Sequence, residues 1–129
     1  MKKLLLVVPG ISIIFFALIQ SGCRHDKPLF IYAPCDTAHI TFSGTIKPTL
    51  SANCSISGCH SGSNPPNGIN LENYSGVKSQ LYLVNGMPEL VGVITHTSGF
   101  SPMPKNSAML DTCSIYKIKK WIAGGAPDN

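Results

Sequence analysis

The sequence predicts an all-α domain with short helices and long loops. Apolar residues recur at helical spacing over residues 42–54 and again over residues 115–122. The segments between these two helices contain many glycines, prolines and serines, which favour loops. Two cysteines and an adjacent histidine, at positions 54, 59 and 60, indicate that these short elements fold around a bound group.

The first 22 residues are typical of an export signal. Lys2 and Lys3 form a positive start, and an apolar stretch over residues 4–18 follows, too short and too broken by Pro9 to span a membrane comfortably. Small residues then lead into Cys23, as in bacterial lipoprotein signals, which are cleaved before a cysteine that receives the lipid. An uncleaved anchor and ordinary signal cleavage are the alternatives, and all three export the chain.

The predicted organisation has three parts: a signal peptide over residues 1–22, a lipid-anchored tether over residues 23–34, and one domain over residues 35–129. An apolar patch at residues 29–32 could instead pack on the domain as an edge segment. We expect an exported lipoprotein, either periplasmic or on the outer membrane or cell surface, held at the membrane by its lipid anchor. The formal charge of +4 falls to +2 when the signal leaves, so no nucleic-acid partner is expected.

The most informative motif is CSISGCH at residues 54–60. Two cysteines with a histidine directly after the second form the attachment signature of c-type haem, in which both thiols bond to the porphyrin and the imidazole binds the iron. The usual motif has two residues between the thiols and this one has four, but a longer loop can still bring both sulfurs to one porphyrin edge. We therefore predict one covalent haem c on Cys54 and Cys59, with His60 as an iron ligand. A local disulfide is one alternative, and half of a zinc site is another, although its ligand spacing fits zinc poorly.

The helix that leads into this motif is indicated by side chains at every fourth position: Phe42, Ile46, Leu50 and Cys54. Ser43 or Thr45 is expected to cap its start. After the motif, residues 61–68 have the composition of a loop, which we expect to wrap the haem on the side of His60.

Three further helices are predicted. The second covers residues 75–84 and is stopped by Asn85-Gly86, and the third covers residues 89–96 and is stopped by Ser98-Gly99. The last helix is capped by Asp111 or Thr112 and ends at Gly124-Gly125. Its apolar face carries Ile115, Ile118, Trp121 and Ile122.

The second ligand of the iron is predicted to be Met103. This methionine stands between Pro102 and Pro104, which restrict the backbone and hold the side chain in an extended loop. His96 would give ligation by two imidazoles, and Met87 is a weaker alternative in a less constrained turn. Met109 precedes the last helix and is expected in the core.

Two of the five cysteines have no role in this scheme, namely Cys35 and Cys113. We predict that they form a disulfide, because an oxidising exterior permits it. Two unrelated thiols are the alternative.

The chain resembles the small, single-haem cytochrome c domains that bacteria export, particularly those with a Cys-Asp-Thr start. The resemblance extends over residues 35–129 and is carried by five segments: residues 35–37 (CDT), the helix into 54–60, residues 68–74 (GINLENY), residues 102–104 (PMP) and residues 118–129 (IKKWIAGGAPDN). It implies a cytochrome c-like fold around one haem, with the histidine of the attachment motif and the methionine of the Met-Pro loop as axial ligands. These correspond to His60 and Met103. The terminal helix would pack on the haem edge near the first helix.

The function expected from this scheme is electron transfer to and from redox partner proteins, rather than enzymatic catalysis. A haem with ligands on both faces cycles between ferrous and ferric iron without binding a substrate. A peroxidase-like enzyme would need a distal acid or base, for which His96 is the candidate, and usually a charged donor. The only arginine, Arg24, lies beside the predicted anchor. A haem-free binding or structural module, with Cys54 bonded to Cys59, is a further alternative.

Overall fold

The computed structural model describes residues 35–129. The predicted signal peptide, the lipid attachment at Cys23 and the tether over residues 23–34 lie outside these residues. The regular elements are a π-helical segment (Phe42–Ile46), α1 (Lys47–Asn53), a 3₁₀ turn (Pro66–Gly68), α2 (Tyr74–Ser79), β1 (Leu83–Val84), β2 (Met87–Pro88), α3 (Glu89–Ile94) and α4 (Thr112–Ala123). None of the helices in the described part of the chain is long and apolar enough to cross a membrane.

The first helix begins one residue after Thr41, whose side-chain oxygen accepts a hydrogen bond from the amide of Gly44 at 3.0 Å. The expected caps, Ser43 and Thr45, are therefore wrong, because Phe42 is already helical and buried. The side chains at every fourth position, Phe42, Ile46, Leu50 and Cys54, do form one buried face. The helix ends where this face reaches Cys54.

The second predicted helix is wrong beyond Ser79. Helix α2 ends there, and the chain continues into an antiparallel hairpin in which Val84 pairs with Met87. Asn85 and Gly86 have φ angles of 51° and 80°, and two consecutive residues with positive φ form the turn that best matches the twist of paired strands. Asn85-Gly86 therefore closes a hairpin rather than ending a helix.

The two remaining helices lie close to their predicted positions. Helix α3 ends at Ile94, before the predicted residue 96, because His96 adopts a left-handed φ of 50° and turns the chain. Helix α4 is capped by Asp111, whose carboxylate accepts a hydrogen bond from the amide of Ser114 at 2.9 Å. Hydrogen bonding with the Ser114 side chain, and to a smaller extent with the Ser114 amide, lowers the pKa of Asp111. The predicted cap and end of α4 are confirmed.

The core joins the first helix to α4 through three aromatic side chains. The ring of Phe42 lies 5.3 Å from that of Tyr74 and 5.8 Å from that of Trp121, measured between centroids. The Trp121 indole donates to the carbonyl of Pro127 at 3.0 Å, and the Tyr74 hydroxyl donates to that of Ala126 at 2.8 Å. Burial of these rings, with the indole N–H and the Tyr74 hydroxyl both hydrogen-bonded, stabilises the packing of the first helix on α4. This packing positions the helix that leads to Cys54.

A disulfide links the start of the described chain to α4. Cys35 is bonded to Cys113 in the first turn of α4, with 5.5 Å between the Cα atoms. This is the pair that the sequence analysis predicted.

Candidate functional site

A cavity of about 390 Å³ contains all four predicted haem residues in its wall: Cys54, Cys59, His60 and Met103. Its volume falls within the range of small-molecule sites. The remaining lining comes from the end of α1, the spacer between the two cysteines, the loop after the motif and the Met103 loop, at Asn53, Ile56, Gly58, Pro66, Asn67, Pro104, Lys105 and Ser107. Pro66 and Asn67 belong to the loop that was expected to wrap the haem on the side of His60.

The four residues between the two cysteines fold into a compact turn. The amide of Cys59 donates to the carbonyl of Ile56 at 2.9 Å, and that of His60 donates to the carbonyl of Cys54 at 3.0 Å. Gly58 has a φ of 79°, a conformation that glycine adopts without strain. The longer spacer thus returns the chain to Cys54, so that both cysteines and His60 reach the same cavity.

The two thiols of the motif differ in environment. Cys54 is buried and Cys59 is exposed, and neither is disulfide-bonded. Burial raises the pKa of the Cys54 thiol to about 11, with a smaller contribution from the neighbouring charge of Cys59. The Cys54 thiol is therefore protonated at neutral pH. The local disulfide that the sequence left open is not formed in this structure.

The imidazole of His60 is oriented by a backbone carbonyl. Its Nδ1 lies 3.1 Å from the carbonyl oxygen of Ile69, which can only accept, so Nδ1 carries the hydrogen. In the neutral ring the Nε2 lone pair is then available to a metal. Histidines that bind metals usually donate their other ring N–H in this way, which fixes the ring and raises its basicity.

The chain that supplies this carbonyl is itself held in place. The amide of Leu71 donates to the carbonyl of His60 at 2.9 Å, and the Asn70 side chain donates to the carbonyl of Gly62 at 2.8 Å. The Glu72 carboxylate accepts from the amide of Gly62 at 2.9 Å. These hydrogen bonds position the Ile69 carbonyl, and through it they orient the His60 ring.

Met103 is the sulfur ligand candidate that the structure brings to the cavity. Its amide donates to the carbonyl of Val93 at 2.9 Å, and its carbonyl lies 3.1 Å from Nε2 of His96. His96 and Met87 do not line the cavity. Met109, expected in the core, has an exposed fraction of 47% and does not line the cavity either.

Sequence reasoning missed the groups that orient the two iron-ligand candidates. The Ile69 carbonyl is a backbone group, and only the folded chain shows which carbonyl meets Nδ1 of His60. His96 was considered as a rival ligand, whereas the structure places it against the backbone of Met103. Lys105 and Asn67 also line the cavity, and no local sequence pattern marks either residue.

Within residues 35–129, no group of three or more His, Cys, Asp or Glu side chains could hold a metal ion by itself. A structural zinc site normally takes four such protein ligands. A haem iron needs only axial side chains, because the porphyrin provides the other ligands. The two thiols, the imidazole and the thioether that line the cavity are the residue types that attach a haem c and bind its iron.

Comparisons with protein families, with curated proteins and with solved structures gave no significant match.

Proposed function

We propose that this protein is an exported electron carrier with one haem c, bound covalently through Cys54 and Cys59 and coordinated by His60 and Met103. The observation that supports this proposal best is that Met103, more than 40 residues from the Cys54–His60 motif in the sequence, lines the same cavity as Cys54, Cys59 and His60. When bound, the haem supplies a one-electron couple at its iron. Residues 35–129 would then form a cytochrome c-like domain.

Each of the four residues has a distinct part in this proposal. Cys54, at the buried end of the first helix, and Cys59, at the exposed surface, would hold the two sides of the porphyrin edge. His60 would present Nε2 to the iron, because its Nδ1 donates to Ile69. Met103 would supply the thioether ligand, and both of its backbone polar groups are hydrogen-bonded at the end of α3.

The lining of the cavity favours electron transfer over peroxidase-like catalysis. Among the described residues that line it, Lys105 is the only one with a permanently charged side chain, and His60, which the proposal assigns to the iron, is the only imidazole. The candidate distal base, His96, faces the carbonyl of Met103 instead. Catalysis on peroxide would need an acid or base beside an open iron position.

The disulfide supports export to an oxidising compartment, where such bonds persist. The lipid anchor at Cys23 and a location in the periplasm, on the outer membrane or on the cell surface belong to the same proposal. The partners would be redox proteins that reach the cavity from solution.

The proposal is tested by a potentiometric titration of protein matured with the c-type attachment machinery. We expect one reversible one-electron wave, the absorption spectrum of a low-spin haem with His and Met ligands, and slow turnover of hydrogen peroxide. Protein without a reversible wave would contradict electron transfer, and rapid peroxide turnover would support the peroxidase-like alternative instead.

A further inference from the structure

We infer that His96 is a positioning residue for the iron ligand Met103, acting through a hydrogen bond from its imidazole to the Met103 backbone. This inference rests on the proposed function. It assigns to His96 the task of holding the thioether at the cavity without touching the iron.

The backbone of Met103 is held on both sides by the end of α3. Its amide donates to the carbonyl of Val93 at 2.9 Å. Its carbonyl accepts from Nε2 of His96 at 3.1 Å, and since a carbonyl only accepts, Nε2 carries the hydrogen. The side chain of Met103, between these two anchors, lines the cavity.

Helix α3, whose end provides both hydrogen-bond partners of the Met103 backbone, is packed into the core. Leu90 and Ile94 belong to the buried core, with exposed fractions of 3% and 1%. A displacement of the Met103 backbone would therefore have to break a hydrogen bond to a helix that is packed into the core.

The loop between His96 and Met103 follows the same helix. The amide of Thr97 donates to the carbonyl of Gly92 at 3.0 Å, and that of Phe100 donates to the carbonyl of Thr97 at 3.1 Å. The Phe100 ring packs over Gly92, where a Cβ atom would overlap the ring. Within this arrangement the His96 imidazole is the one side chain that hydrogen-bonds to the Met103 backbone among the described residues.

The backbone of His96 allows a clean test. Its φ of 50° lies in the left-handed region, which glycine and asparagine adopt more readily than most residues. His96→Gly and His96→Asn thus remove the contact while easing the backbone, and the asparagine side chain is too short to reach the Met103 carbonyl. His96→Gln keeps an N–H donor at a reach similar to that of Nε2.

The experiment compares wild type with these three variants, each matured with covalent haem. The readouts are the absorption band of the ferric iron–thioether bond, the affinity for added imidazole, the haem content and the melting temperature. With haem content unchanged and the protein still folded at the assay temperature, we expect the glycine and asparagine variants to bind imidazole about two- to tenfold more tightly, the factor that one net hydrogen bond provides. Their thioether band should weaken, and His96→Gln should stay near wild type.

Three results would overturn the inference. Imidazole affinity and thioether band could be the same in His96→Gly and His96→Asn as in wild type, or His96→Gln could behave like those two variants. In either case the donated hydrogen bond does not position Met103. Wild-type protein without a thioether band would instead refute the ligation by Met103, and the role of His96 would be refuted with it. If one variant fails to fold, the other removes the same contact.

Discussion

Met103→Ala is expected to leave the haem covalently attached and to lower its midpoint potential by on the order of 0.1 V, a fraction of the range that axial ligands control. The thioether favours ferrous iron, so its loss stabilises the ferric state. Because the Met103 side chain lines the cavity, alanine also opens one face of the iron. Potentiometric titration measures the first effect, and an imidazole titration measures the second, which should show much tighter binding.

Two other methionines provide matched controls for this substitution. Met87 lies in β2 and Met109 is exposed, and neither lines the cavity. Met87→Ala and Met109→Ala should keep the wild-type spectrum and potential. If Met103→Ala also keeps them while His96→Ala changes both, the ligand is His96 and the assignment of Met103 is wrong.

The double substitution Cys35→Ala/Cys113→Ala should reduce the free energy of unfolding by about 4 to 5 kcal/mol in the chain-entropy description of disulfides. The bond closes a loop with a sequence separation of 78 residues, so its loss increases the conformational entropy of the unfolded chain. Cys35 is exposed and Cys113 is half-buried, so the loss of packing adds little. Urea unfolding of the haem-loaded protein measures the difference.

Reduced wild-type protein is the control for this double substitution, because it loses the same bond without any change of side chain. Both should unfold at a lower urea concentration than the oxidised wild type. A loss below about 1 kcal/mol in both would show that the bond contributes little to stability and would contradict the loop-closure argument.

The first and last helices could be predicted because a continuous apolar face fixes both their type and their position. Phe42, Ile46 and Leu50 on one side and Ile115 and Ile118 on the other are all buried. The segment around Asn85-Gly86 was misread because the same dipeptide can end a helix or close a hairpin. Only the pairing of Val84 with Met87, which depends on the folded chain, decides between the two.

The cysteines, the histidine and the methionine of the candidate site could be predicted from the sequence. The groups that hydrogen-bond to the histidine and the methionine could not. Adjacent Cys59 and His60 carry a recognisable signature. The carbonyl of Ile69 carries none, since every residue has one. His96 is ambiguous in sequence, because an imidazole can bind iron or donate a hydrogen bond, and its contact with Met103 arises only when the chain folds.

Covalent attachment of haem through Cys54 and Cys59 is tested most directly by a haem-stained denaturing gel. The samples are wild type, Cys54→Ala, Cys59→Ala and the double variant, all matured with the c-type attachment machinery. Cys35→Ala/Cys113→Ala is the matched control, because it removes two cysteines away from the cavity. We predict staining in wild type and in the control and none in the double variant. Staining that survives the loss of both Cys54 and Cys59, or wild-type protein that does not stain, would contradict the proposed attachment.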